Sequence, residues 1–122
     1  MSTRAQIVIK DAHDSLIFYR HSDGYPDGTM PTLERFLEHV KAGEIRDNVG
    51  QAAGWLILIG AEEYLDNTWP GSGMEWKAGA YEPATCLHSD IEYLYVIDLV
   101  SLTITVHDSG FEDVYNNLKE AA

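Results

Sequence analysis

The sequence predicts an α+β fold: an antiparallel sheet of about five strands with two central helices and a C-terminal helix, in the order ββααβββα. Three observations carry that expectation. Strand-like segments rich in Ile and Val open the chain, apolar residues at helical spacing fill its middle, and a period-2 segment precedes a helix at its end. With 122 residues, no internal repeat and no linker-like stretch, the chain reads as a single domain over residues 1–122.

The elements follow in order. Residues 6–10 (QIVIK) and 16–19 (LIFY) are joined by the polar connector Asp11 to Ser15, which predicts a hairpin. Residues 21–28 (HSDGYPDG) form a dense turn region, in which Asp23 and Asp27 each precede a glycine suited to positive φ. Leu33, Phe36, Leu37 and Val40 then fall on one face of a helix, with Pro31 in its first turn and Gly43 at its C-terminal cap. Taken alone, residues 55–59 (WLILI) suit a buried strand. Val49, Ala52, Ala53, Leu56, Ile57, Gly60, Ala61 and Tyr64 nevertheless keep helical spacing, so a buried helix is expected over residues 47–65. Its three glycines each cost up to about 1 kcal/mol relative to alanine, which sustained periodicity outweighs.

Residues 67–74 (NTWPGSGM) read as a loop, and residues 75–82 and 91–99 as strands. After a tight turn at Val100-Ser101, Leu102, Ile104 and Val106 alternate with Thr103, Thr105 and His107, a strand with one wet face. Ser109 precedes Glu112 by three residues, a capping-box pattern, and Phe111, Val114, Tyr115 and Leu118 follow at helical spacing. The helices are expected to pack on one side of the sheet.

Charge narrows the function classes. The net charge is −12, and it is lopsided: residues 1–60 hold 8 acidic and 6 basic side chains, residues 61–122 hold 12 and 2. Such a field repels nucleic acid and anionic membranes directly and favours a basic protein surface. The chain has one cysteine, Cys86, so it has no internal disulfide and no cysteine-based metal cluster. The opening MSTRAQIVIKD has no apolar signal-peptide core and no apolar run approaches bilayer length, so the cytoplasm is the expected location.

Chemistry is expected in the polar loop. Arg20, His21, Asp23, Tyr25 and Asp27 surround the start of the first helix, where backbone N–H groups and the helix dipole favour an anion such as a nucleotide or phosphorylated ligand. The tripeptide His-Ser-Asp occurs at residues 21–23 and again at 88–90, making His21, Asp23, His88 and Asp90 candidate metal ligands for a hydrolase. Gly71-Ser72-Gly73 matches neither a nucleophile elbow nor a phosphate-binding loop, and the sequence implies no cofactor. Trp69, in a Pro/Gly loop, is a candidate anchor for a protein partner, with Glu62, Glu63, Asp66 and Glu75 around it. An open sheet edge and loop aromatics also suit a homodimer.

The stretch Tyr19-Arg20-His21-Ser22-Asp23-Gly24-Tyr25-Pro26-Asp27-Gly28 resembles a motif of small uncharacterised phage and prophage proteins. That motif runs Tyr, a basic residue, His, any residue, Asp, Gly, Tyr, Pro, any residue, Gly. Residues 90–95 (DIEYLY) resemble a second recurrent element, an acidic and aromatic strand after a turn. The resemblance implies an accessory protein acting inside a bacterial cell by binding host machinery, and it carries no catalytic residue with it.

Overall fold

The computed structural model describes residues 3–65 and 79–121. Among them are five strands, β1 (Ala5–Lys10), β2 (Ser15–Arg20), β3 (Glu82–Ala84), β4 (Tyr93–Asp98) and β5 (Thr103–His107). Three helices accompany them, α1 (Pro26–Lys41), α2 (Val49–Leu65) and α3 (Phe111–Ala121), in the expected order ββααβββα. The strands form one sheet ordered β3-β2-β1-β4-β5. Three of its pairings are antiparallel, as expected. The fourth departs: β1 and β4 run parallel, with Ala5 opposite Tyr93 and Lys10 opposite Asp98. A parallel pair needs a long crossover between its strands, and both central helices lie in this one.

β1 is the centre of the sheet, and it is buried on both faces. Its Ile7, Val8 and Ile9 are all fully buried. On one face Ala5, Ile7, Ile9, Phe18, Tyr95 and Ile97 pack beneath Leu33, Phe36 and Val40 of α1 and Ala52, Leu56 and Ile59 of α2. On the other, Val8, Ile17, Tyr19 and Leu94 are covered by Phe111, Val114, Tyr115 and Leu118 of α3. The expected one-sided arrangement is therefore corrected to three layers, with α3 opposite the central helices. A central strand with no polar alternation needs cover on both sides, and α3 supplies the second.

Element ends show where local chemistry acts. The helix expected to start near Pro31 starts one turn and more earlier, with Pro26 in its first turn and Pro31 inside it. Extended Tyr25 is the N-cap, and its carbonyl accepts the N–H groups of Gly28 and Thr29, both at 3.0 Å. Gly43 ends α1 at φ +77, where only glycine is unstrained, and its N–H bonds the Val40 carbonyl. The helical reading of the WLILI stretch holds, and α2 spans Val49–Leu65. At the far end, Gly110 at φ +65 precedes α3 and its carbonyl receives the Val114 N–H. The helix thus begins one residue past the expected Ser109 box. Of the strand expected over residues 75–82, residues 75–78 lie outside the described residues and 79–81 are not strand; the strand observed, β3, is three residues long and shares only Glu82 with that expectation. β3 is an edge strand, where Pro83 is tolerated because no partner needs its missing N–H.

Asp11 links the hairpin to α2 across the fold. One carboxylate oxygen accepts the N–H groups of His13 and Asp14 at 2.8 Å, and the other accepts the Val49 N–H at 3.0 Å, the first amide of α2. These bonds, led by that from Asp14, pull its pKa from 3.8 to about 2. The contribution is present above pH 3.8 and disappears as pH falls through about 2. Asp11→Ala should lower the urea midpoint at neutral pH, and the gap to the unmutated protein should shrink at pH 2. A gap of equal size at both pH values would show that the cap carries none of the acid sensitivity.

Candidate functional site

The polar loop between β2 and α1 is built around an inward arginine. Alternation along β2 sends Tyr19 to the α3 face and Arg20 to the opposite one. Arg20 is 1% exposed. Its Nε donates to the Ser22 carbonyl at 2.8 Å, its Nη2 to the Gly28 carbonyl at 3.4 Å, and its guanidinium lies 5.1 Å from the centre of the Tyr81 ring. Arg20 therefore clasps the loop from inside, and the expected place for it beside a bound anion is corrected. Asp27 lies in the first turn of α1 and offers a like charge to any anion there.

The loop's glycines act differently from the expectation too. Asp23 itself takes the left-handed conformation, at φ +55, and its carbonyl accepts the Thr29 hydroxyl at 2.8 Å. Gly24 is required because the loop passes against β1: an added Cβ would sit 2.8 Å from Ala5 Cβ and 2.9 Å from the Thr3 carbonyl oxygen. Its own N–H bonds that same oxygen at 2.9 Å, and its carbonyl receives the Tyr95 hydroxyl at 2.6 Å. Tyr25 is left 42% exposed beside the loop.

Three of the four proposed metal ligands do gather, on the α3 face of the sheet. The Tyr19 ring has the His21 ring 4.6 Å away, edge-on, and the His88 ring 4.5 Å away, tilted. The Tyr19 hydroxyl donates to Asp90 Oδ2 at 2.8 Å, and Arg4 reaches the same oxygen at 3.1 Å. Glu82 of β3 holds His21 Nε2 at 2.8 Å. Gln6, buried in β1, receives the His88 N–H at 2.7 Å and donates to the Cys86 carbonyl at 3.0 Å, which fixes the second copy of the tripeptide. Asp23 is engaged in the loop and does not join them. Among the described residues no group of three or more His, Cys, Asp and Glu is arranged to hold a metal ion. The repeated His-Ser-Asp thus serves as a clamp on Tyr19.

No family model matches the chain, and no curated protein and no solved structure matches it either.

The electrostatics of the clamp assign its protons. Burial, then the hydrogen bond to Asp90, push the Tyr19 hydroxyl up to about 12. The Tyr19 hydrogen bond, with Arg4 beside it, holds the Asp90 carboxyl below its usual value. At neutral pH Tyr19 is thus a hydrogen-bond donor and no base. Burial, against the opposing pull of a hydrogen bond with Thr29, pushes Tyr95 up to about 12 as well. In an ultraviolet pH titration these should be late-ionising tyrosines among the chain's seven, each deleted by its own Phe substitution. Their stabilising effect is complete below pH 10 and is lost as pH rises through about 12. Ionisation of every tyrosine near pH 10 would contradict the burial of both hydroxyls.

Beside His88 an open cavity of about 510 Å³ lies between the 87–91 segment and α3, with Phe111 and Tyr115 in its wall and Glu112 and Asn116 among its polar groups. Of the expected partner patch, Glu62 is exposed and paired with Arg35. The Glu63 side chain, Asp66, Trp69 and Glu75 lie outside the described residues. No described helix is long and apolar enough to cross a membrane.

Proposed function

We propose that the chain is an accessory protein of the phage or prophage type that acts by binding, with a basic surface of a host nucleic-acid-handling protein as its target. The observation that carries this reading is the disposition of its charges. Arg4, Lys10, Arg35 and Lys41 are each paired with a carboxylate of the same chain, and Arg20 is buried. Exposed Asp27, Glu34, Glu92 and Asp108 have no ion-pair partner among the described residues. Five of the seven described cations are thus paired or buried, and the surface field is that of the net −12. Such a surface competes with nucleic acid for a cationic groove.

A target retained on the immobilised protein should be displaced by duplex DNA and by rising salt. Charge reversal at Glu62, Glu63 and Asp66 together should weaken its retention. A set of retained proteins indifferent to all three treatments would remove the reading. The small-molecule alternative, a nucleotide held by Arg20, His21 and Tyr25, lacks its cation, because the Arg20 guanidinium is committed to the loop carbonyls.

A further inference from the structure

The outer face of α2 is the least expected surface of the molecule. From Val49 to Ala61 the helix carries no charged side chain, in a chain that is 23% charged. Its inner positions, Ala52, Ala53, Leu56 and Ile59, belong to the core. Its outer positions include two large apolar side chains, with Trp55 44% and Leu58 57% exposed. A helix that is apolar on all sides is normally covered on all sides. Gly50 and Gly54 lie on the same outer arc, four residues apart and four before Leu58. Among the described residues an added Cβ at Gly54 would meet nothing within 4 Å, and at Gly50 only the Asn48 side chain at 3.9 Å, so neither glycine is needed for packing against them.

We infer that this face pairs with the same face of a second copy, through an antiparallel α2–α2 contact about a two-fold axis near Gly54. Three features select a second copy. The face is neutral, so a strongly basic or acidic partner gains nothing from it. The spacing is self-complementary: with Gly54 at the crossing, Leu58 of each copy seats over Gly50 of the other, and Trp55 closes the side. Glycines at the crossing let the helix axes approach to the short end of the usual range of about 8–10 Å. The ends also match in charge. Arg46, exposed beside Asp47 and without an ion-pair partner among the described residues, precedes α2, while Glu62, which Arg35 of its own chain also engages, lies near its other end. Antiparallel pairing brings each Arg46 toward the partner's C-terminal end and opposes the two helix dipoles.

Sedimentation of the purified chain across a concentration series tests the inference. The expected result is a species of twice the 13.7 kDa chain mass at tens of micromolar, weakening on dilution. The dimer should tighten as salt rises, because salt screens repulsion between two chains of net charge −12. That response is opposite to the one expected for a basic target. Leu58→Glu should leave a folded monomer. Gly54→Lys should do the same while raising the melting temperature of the monomer, since lysine favours a helix more than glycine does. A wild-type chain that stays monomeric at about 100 µM, or a dimer that survives both substitutions, would overturn the inference.

Discussion

Arg20→Met should destabilise the protein by about 3 kcal/mol or more, read as a fall in the urea midpoint at neutral pH. The guanidinium is buried, so its loss leaves a gap beneath the loop as well as missing bonds. The Ser22 and Gly28 carbonyls each lose a donor, and the Tyr81 ring loses the planar cation packed against it. Arg20→Lys should recover little of this stability. A lysine ammonium is a point donor on a flexible stem and cannot serve both carbonyls while staying over the Tyr81 ring. A loss below about 1 kcal/mol for both substitutions would mean that the loop is held by its other bonds and the arginine is incidental.

Gly24→Ala should cost about 2 kcal/mol, the usual scale for one extra methyl group in a site that cannot yield. The new Cβ would meet Ala5 Cβ at 2.8 Å, the Thr3 oxygen at 2.9 Å and the Ala5 nitrogen at 3.0 Å. Two of those atoms are backbone, and Ala5 belongs to the central strand. Relief requires the loop to lift, which breaks the Gly24 N–H bond to Thr3 and pulls its carbonyl from the Tyr95 hydroxyl. Gly79→Ala provides the matched control, because its Cβ would meet only the Tyr81 oxygen, at an ordinary 3.8 Å. Equal effects at the two positions would rule out the close approach as the cause.

These two residues also mark where sequence reasoning stops. Arg20 and Gly24 were visible as part of a dense polar motif, but which side of the sheet Arg20 enters depends on the pleat of β2 and on what covers each face. An arginine next to a helix start reads as a ligand-binding residue until the strand's phase is known. The periodic elements were legible because their signal is local. Leu33, Phe36, Leu37 and Val40 of α1, and the long apolar spacing of α2, place their core faces without reference to any neighbour. The α3 layer and the parallel pair were not legible, because they depend on how distant segments meet. One signal did point to the α3 layer. Ile7-Val8-Ile9 is a continuous apolar run with no polar alternation, the pattern of a strand covered on both faces. The clamp on Tyr19 was half legible: the repeated His-Ser-Asp marked His21, His88 and Asp90, while Tyr19, the first residue of the phage-like motif, gave no sign that it would stand between them.

The placement of β1 sets the order in which the molecule can be made. Its first partner, β2, follows within a few residues, but its second, β4, begins at Tyr93. A growing chain therefore emerges with its most apolar strand able to form a hairpin and nothing more. The strand's other edge stays open until both central helices and the β3 segment have been synthesised. Closing so large a loop is entropically slow, so folding should be governed by the arrival and docking of β4. During that interval Ile7, Val8 and Ile9 present an unpaired edge to any other nascent copy. Yield in cells should then respond more to synthesis rate and chaperone supply than the stability of the finished domain would suggest.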